Sequence, residues 1–346
     1  MDTRPVGLRS AATFVSITRL QEELARKQQE LSTGQIADAG ADLGLVTSHL
    51  AAMRQQANAM EALGRSNGLL ANRLTLMQES MSSAINLGSE TLKQYIANAG
   101  TSVSPRQMGE LARSALSNFD AIANATYRGD FIFSGINTDM AAIGDYFAPG
   151  SPARAAFNTT FQAHFGFPVT DPAVASIDSA AMEAFIDGPY SALFSGPEWE
   201  ASFSGASDRF VRAKYTLTQS IEVPAAAGDE SFRQFMAGLV LAAELGEQDI
   251  SNGVRDTIAA KSATMLSEAV AGMARLQGTL GIAEERIAEA GERMQVQTGV
   301  LKNGISGLVG VDEYEVAVSI NDLMISLEAS YSVTARLYGL SLLNEI

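Results

Sequence analysis

Residues 269–308 read "AVAGMARLQGTLGIAEERIAEAGERMQVQTGVLKNGISGL". Within them Ala269, Met273, Leu276, Leu280, Ala283, Ile287, Ala290, Met294, Gln297, Leu301, Gly304 and Leu308 recur in strict 4-3 spacing. A 3.5-residue repeat sustained this long is the pattern of a coiled-coil seam, although the core of an ordinary helical bundle produces the same stripe over shorter spans. At 1.5 Å of rise per residue the stretch would be roughly 60 Å long, longer than a compact domain is wide. A helix of this length needs a partner of similar length.

The partner is found in the first arm. Leu63, Asn67, Leu70, Leu74, Met77, Met81, Ala84 and Gly88 keep the same rhythm. Shorter helices are expected after Pro105, with Met108, Leu111, Ala115, Phe119 and Ile122 on one face, and over 231–246, with Phe232, Phe235, Leu239 and Ala243. Proline placement agrees: seven of the nine prolines lie in 149–224, and none lies in 6–104 or 225–346. Proline within a helix costs roughly 3 kcal/mol, so the proline-free arms are where long helices fit. Nine of the fifteen phenylalanines and the single Trp199 fall in 137–230, which marks the middle as a different structure. There Val211, Ala213, Tyr215, Leu217, Ile221 and Val223 alternate with Arg212, Lys214, Thr216, Thr218 and Glu222. Period 2 predicts a strand pair, or one long bent strand, with a single wet face. The expected fold is mainly α: a long antiparallel coiled-coil rod formed by the N- and C-terminal arms, carrying a smaller β-rich inserted domain.

Composition narrows the function. The chain has 346 residues, 46% hydrophobic, with a net charge of −15. That charge repels a phosphate backbone, and the only adjacent basic pair is Arg26-Lys27, so nucleic-acid binding is disfavoured. No cysteine is present, which removes disulfides, thiolate catalysis and cysteine-based metal sites. The opening "MDTRPVGLRSAATFVSITRL" lacks an apolar h-region and a small-residue cleavage site, so export through a cleaved signal peptide is not expected.

Catalytic chemistry finds few groups to use. His49 and His164 stand in different regions without a second histidine at i+3 or i+4, and are read as surface residues. Asp38 and Asp42 could ligate a cation in principle; turn formation and helix capping explain short carboxylates there. Glu284, Glu285, Glu289 and Glu292 read as the solvated face of a long helix. "GLVGVD" (307–312) has glycines without a phosphate-loop lysine and reads as the joint before a terminal helix. "FIFSGI" (131–136) reads as packing at the corner between the arms and the insert. No catalytic residue, metal site or cofactor is expected.

The two ends share a further property. The chain closes on "LEASYSVTARLYGLSLLNEI" (327–346), whose longest uncharged run, 337–344, falls far short of a membrane span of roughly 20 residues. Ile17, Leu20, Leu24 and Leu31 form an apolar stripe near one end; Val316, Ile320, Leu323, Leu327, Leu337 and Leu340 form another, which Leu343 extends. A single helix, or a simple pair, offers these side chains few neighbours. They are expected to form an assembly interface with further copies of the chain, and to order fully only there.

Several stretches carry a resemblance to the bacterial flagellin superfamily, and within it to the hook–filament junction branch. "LQEELARKQQELSTGQIADAGADLGL" (20–45) is similar to the family's N-terminal helix and the turn that follows it, without the usual Asp-Asp-Pro cluster. "NATYRGDFIFSGINTD" (124–139) resembles the junction branch's G-x-Y-I-F-x-G-x-x-T segment, with Phe131 in the tyrosine place. "GDESFRQFMAGLVLAAELG" (228–246) resembles the helix that returns from the variable insert. The "LSLLNEI" close is nearer the junction branch than the "LLR" close of filament flagellins. The resemblance covers roughly 1–136 and 229–346.

It implies terminal helices, 1–35 with 314–346, that assemble the protein, a coiled-coil rod of 36–139 with 228–313, and a variable outer domain of 140–227. It further implies an extracellular place on the flagellum, reached through the flagellar type III apparatus. The implied partners are copies of itself in a ring, a neighbouring hook-associated protein on the hook side, flagellin on the filament side and an export chaperone before secretion; no nucleic acid and no membrane partner is implied. Two other functions stay open from the residues: a filament flagellin, and an enzyme carried in the insert, for which no Ser/His/Asp or paired-histidine constellation is present.

Overall fold

A computed structural model of the protein describes residues 6–38, 46–98, 105–223 and 226–342, with backbone alone at 6–13, 98, 105–106 and 337–342. The arms are helical, as expected. In order they give α1 (Val6–Thr33), α2 (Val46–Asn98), α3 (Pro105–Ala123), α7 (Glu230–Leu245), α8 (Asn252–Val309) and α9 (Glu313–Leu342). Between α3 and α7 lie a hairpin of β1 (Thr126–Tyr127) and β2 (Asp130–Phe131), the helices α4 (Pro152–Phe165), α5 (Ser179–Phe185) and α6 (Gly196–Ser202), and a second hairpin of β3 (Arg212–Lys214) and β4 (Ser220–Glu222). The chain divides into two compact units, residues 1–62 with 293–346 and residues 63–292.

In the central unit, 63–292, the predicted seam is the core. Leu70, Leu74, Met77, Met81 and Ala84 of α2 are buried, as are Ala269, Met273, Leu280, Ala283, Ile287 and Ala290 of α8. The pairing is antiparallel: Thr75 donates to Glu284 (2.7 Å), Gln78 to the Gln277 carbonyl (3.0 Å) and Gln277 to Ser82 (2.6 Å). Helix α7 is apolar nearly all round, which suits only a helix enclosed on every side. Phe119 of α3 stacks on its Phe235 at 4.2 Å, and Phe133 tilts against its Phe232 at 5.2 Å. Asp229 caps α7, accepting from Ser231 N at 2.8 Å.

Among the described residues strand is confined to the two hairpins, one of which is where the period-2 pattern placed it: Arg212 pairs with Glu222, Ala213 with Ile221 and Lys214 with Ser220. The rest of 140–227 is less β-rich than expected, being mostly short helices. Its prolines explain why. Pro152, Pro172 and Pro197 occupy the first turn of α4, of a 3-10 helix at Pro172–Ser176 and of α6. A first-turn N–H has no intrahelical acceptor, so proline there costs nothing and starts helices instead of breaking them. Pro189 sits in a π turn, Ile186–Tyr190, that continues α5. The aromatic residues of this region, Phe157, Phe161, Phe185, Tyr190, Phe194, Trp199 and Phe203, form a buried cluster, and Tyr190 ties it to α7 through a hydrogen bond to the Ala237 carbonyl.

In the terminal unit the first residues of α2 pair with the last of α8, burying Leu50, Ala57, Met60 and Met294, and Lys302 Nζ meets Glu61 Oε1 at 2.6 Å. The seam thins here. Gln297 faces solvent and Leu301, Gly304 and Leu308 are half-buried. At Gly304 a Cβ would stand 2.7 Å from the Met53 terminal methyl, so the missing side chain is filled from the opposite helix.

Candidate assembly interface

Within the terminal unit the end of α1 and the start of α9 meet at a joint, where Gln35 bridges Gly310 in antiparallel fashion. Helix α1 stops at Gly34, whose φ of +66° few other residues adopt cheaply, and Gly34 N bonds back to the Glu30 carbonyl at 2.8 Å. Ile36 N then donates to the Val309 carbonyl (2.8 Å) and Val311 N to the Gly34 carbonyl (3.1 Å). The glycine-rich 307–312 stretch is therefore the joint read from its sequence. Asp312 starts α9 by accepting from Tyr314 N at 2.9 Å. The Glu30 carboxylate is buried beside this joint, accepting from Lys27 Nζ (2.7 Å) and Ala37 N (3.3 Å). Burial alone would raise its pKa; those bonds and the Lys27 and Arg26 charges outweigh it and hold the group below the usual carboxylate value.

From that joint α1 and α9 run antiparallel, with Gln21 Nε2 donating to Tyr331 Oη at 2.7 Å. Their stripes meet each other. Ile17 and Leu327 are each 7% exposed, and Leu20, Leu24, Ile320 and Leu323 are half-buried. Leu31 is exposed. Leu337 and Leu340 belong to α9 but their side chains lie outside the described residues, and Leu343 lies outside them altogether. The pair is helical within one chain, while each helix covers only one side of the other.

The uncovered side carries apolar residues that a search for a single stripe passes over. Val15 of α1 is 70% exposed, and Val318, Met324, Ile325 and Val333 of α9 are also exposed. The signal was present in the sequence: Val318 and Ile325 stand seven apart, in register with each other and out of register with the Ile320–Leu327 stripe. A second apolar stripe on an already paired helix is the pattern of a surface made for a further partner.

Elsewhere the residues serve structure. His49 is exposed, and the exposed His164 packs its ring edge-on against Phe165 at 4.7 Å. Among the described residues no group of three or more His, Asp or Glu is placed to hold a metal ion; Asp42 lies outside them. Glu284 accepts the Thr75 hydroxyl bond on the helix surface. The 131–136 stretch is clamped as a corner: Ala227 N donates to the Phe133 carbonyl (2.8 Å), Ser207 N to the Ser134 carbonyl (3.0 Å) and Ile136 N to the Arg209 carbonyl (3.1 Å). Gly135, at φ +61°, leaves no room for a Cβ against the Ser207 and Arg209 carbonyls. Among the described residues no helix is long and apolar enough to cross a membrane.

Comparison with known proteins agrees with this arrangement. The bacterial flagellin N-terminal helical region matches residues 8–138, and the bacterial flagellin C-terminal helical region matches residues 263–345. Among solved structures, a Vibrio parahaemolyticus protein assigned as a flagellar hook-associated protein is similar, with a TM-score of 0.54 at 11% identity. The match covers 78% of this chain and 99% of that one, and at such identity it is a likeness of fold. No curated protein matches the chain.

Proposed function

The chain belongs to the bacterial flagellin superfamily and is a flagellar structural component; from that premise we propose that it is a junction protein joining hook to filament. The observation that carries the reading is the second apolar stripe of α9. One side of the α1–α9 pair is used within the chain, and Val15, Val318, Met324 and Ile325 remain for other subunits. A subunit of this kind closes a ring with its own copies, contacts a hook-associated neighbour on one side and receives flagellin on the other. It is secreted through the flagellar type III apparatus, held by an export chaperone beforehand. Junction is preferred to filament on the "LSLLNEI" close and the "FIFSG" corner, and a hook-associated protein among the fold neighbours is consistent with that preference.

Immunogold labelling of native flagella tests the assignment. A narrow band of label where hook meets filament, with flagellin shed into the medium by cells lacking the protein, is the expected result. Label along the whole filament would make the protein a filament flagellin.

A further inference from the structure

Helix α9 carries a second heptad seam. Tyr314, Val318, Asn321, Ile325, Glu328 and Ser332 follow one another at 4-3-4-3-4 spacing, and all six are exposed. This is the spacing by which a helix packs along a neighbour. The seam that holds Ile320 and Leu327 is already taken by α1.

The charges decide what chemistry a neighbour must bring. Over its described side chains α9 has four carboxylates, Glu313, Glu315, Asp322 and Glu328, against Arg336, a net charge of −3. Glu313 and Glu315 suit the helix start, where the backbone dipole favours anions. Asp322 and Glu328 stand mid-helix, exposed, with no cation paired to them among the described residues. A second α9 laid on this seam would bring two acidic faces together, and like charges repel. The end of α8 also shows apolar surface, with Val296 and Val300 68% and 66% exposed. Its cations are spent: Lys302 meets Glu61 at 2.6 Å, and Arg293 has a partner within the chain.

The outer face of α1 is different. Val15, Thr18, Glu22, Ala25 and Gln29 repeat there at 3-4-3-4 spacing and are exposed. Thr18 and Ala25 are small, leaving holes for larger knobs such as Val318 and Ile325. Arg19, one turn on from Val15, is exposed with no carboxylate paired to it among the described residues. Arg26 and Lys27 are committed to Glu23 (3.7 Å) and Glu30 (2.7 Å). Over its described side chains α1 is neutral, three bases against three acids.

We propose that the outer seam of α9 packs on the outer face of α1 in the next copy of the chain, with Arg19 set against Asp322 and Glu328. This pairing rests on the proposed function, in which the outer face of α9 meets another subunit, and names the surface it meets. Two different faces joined in this way make a head-to-tail contact, which repeats from copy to copy and closes a ring or winds into a helix.

The chain has no cysteine, so introduced thiols report only their own contacts. One copy carries Ile325→Cys and a second carries Val15→Cys, Thr18→Cys, Glu22→Cys or Ala25→Cys, with Val300→Cys as the comparison. Each pair is expressed together, flagella are isolated and treated with a short bismaleimide, and linked peptides are identified by mass spectrometry. The expected result is a mixed link from position 325 to at least one of the α1 positions. Arg19→Glu on the α1 copy should reduce that link by roughly ten-fold, and Asp322→Lys with Glu328→Lys on the α9 copy should restore it. Mixed links to Val300→Cys alone, links only between two Ile325→Cys copies, or an undiminished link in Arg19→Glu overturn the pairing and leave the outer face of α9 a subunit contact. No link to position 325 in any combination overturns the pairing together with the function it rests on.

Discussion

Arg154 of α4 donates from Nε to Oε1 of Glu244 in α7 across 2.7 Å, and the two ends of this pair differ in burial: the arginine side chain is 42% exposed, the glutamate 2%. The guanidinium also stands 5.4 Å from the centre of the Phe147 ring, whose neighbour on α3, Arg113, lies 5.0 Å from the same centre. The asymmetry predicts asymmetric mutants. Arg154→Ala leaves a carboxylate buried without its cation and should cost about 2–3 kcal/mol, below the range for fully buried pairs because water reaches the arginine. Glu244→Gln keeps an acceptor and removes the stranded charge, and should cost about 1 kcal/mol or less. Urea midpoints at neutral pH check the order; a larger loss for Glu244→Gln would mean the pair is not what joins α4 to α7.

Two helical glycines predict opposite outcomes of one substitution. A Cβ at Gly88 of α2 would stand 2.7 Å from both the Phe235 ring and Val270 Cγ2, whereas at Gly278 of α8 nothing lies within 4 Å. Alanine favours a helix interior over glycine by about 0.8–1 kcal/mol. Gly278→Ala should therefore stabilise by several tenths of a kcal/mol or more. At Gly88 overpacking costs of about 1–3 kcal/mol exceed that gain, so Gly88→Ala should lower the thermal midpoint. Equal midpoints for the two variants would show that α2 and α7 have room to move apart.

These residues also show what was legible in the sequence. The arms announced themselves because a seam of long helices repeats every 3.5 residues, and Leu70 to Ala84 and Ala269 to Ala290 are buried on that schedule, with Leu276 half-buried among them. Gly88 fits the same rhythm, but nothing in the pattern says that Phe235, nearly 150 positions away, fills its place. The insert was harder to read for the opposite reason: proline at a first helical turn and proline between strands look alike in sequence, and only the neighbouring backbone tells them apart. In the terminal helices an apolar stripe declares that something covers it. Whether the cover is the other arm or another molecule depends on which of two stripes faces inward, and one chain's periodicity does not rank them.

Asp120 predicts a pH dependence. Burial, and secondarily the nearby charge of Asp145, raise its carboxyl to about 7, against a lowering hydrogen bond from Tyr146 N. A carboxyl raised in the folded state binds more protons there than in the unfolded chain, so its contribution to stability is present at low pH and is lost as pH rises from about 4 to about 7. Above that window both states are ionised and no further change follows. Asp120→Asn cannot ionise and should escape the loss. Thermal midpoints of the two proteins should lie close together near pH 4 and separate near pH 8, with the variant higher, the underlying stability difference growing by a few kcal/mol at most. A constant difference across that range would remove Asp120 as its source.

The two stripes of α9 give the prediction on which the functional reading depends. Leu327 is 7% exposed in the seam with α1, while Val318 is 45% and Ile325 58% exposed on the other side. An aspartate at 327 would put an unpaired charge between the helices at a cost of several kcal/mol. Leu327→Asp should therefore lower far-UV helicity of the isolated protein and speed amide exchange in both α1 and α9. Val318→Asp with Ile325→Asp alters only the surface of the pair, so the isolated protein should keep its helicity and midpoint. Its defect should appear in assembly, where charge meets an apolar neighbour: the double variant should still be exported, and its cells should shed flagellin from otherwise complete hooks. Full filaments and normal motility in those cells would show that this face meets no subunit. Retained helicity in Leu327→Asp would instead show that the α1–α9 seam contributes little, and that Leu327 is available to other subunits after all.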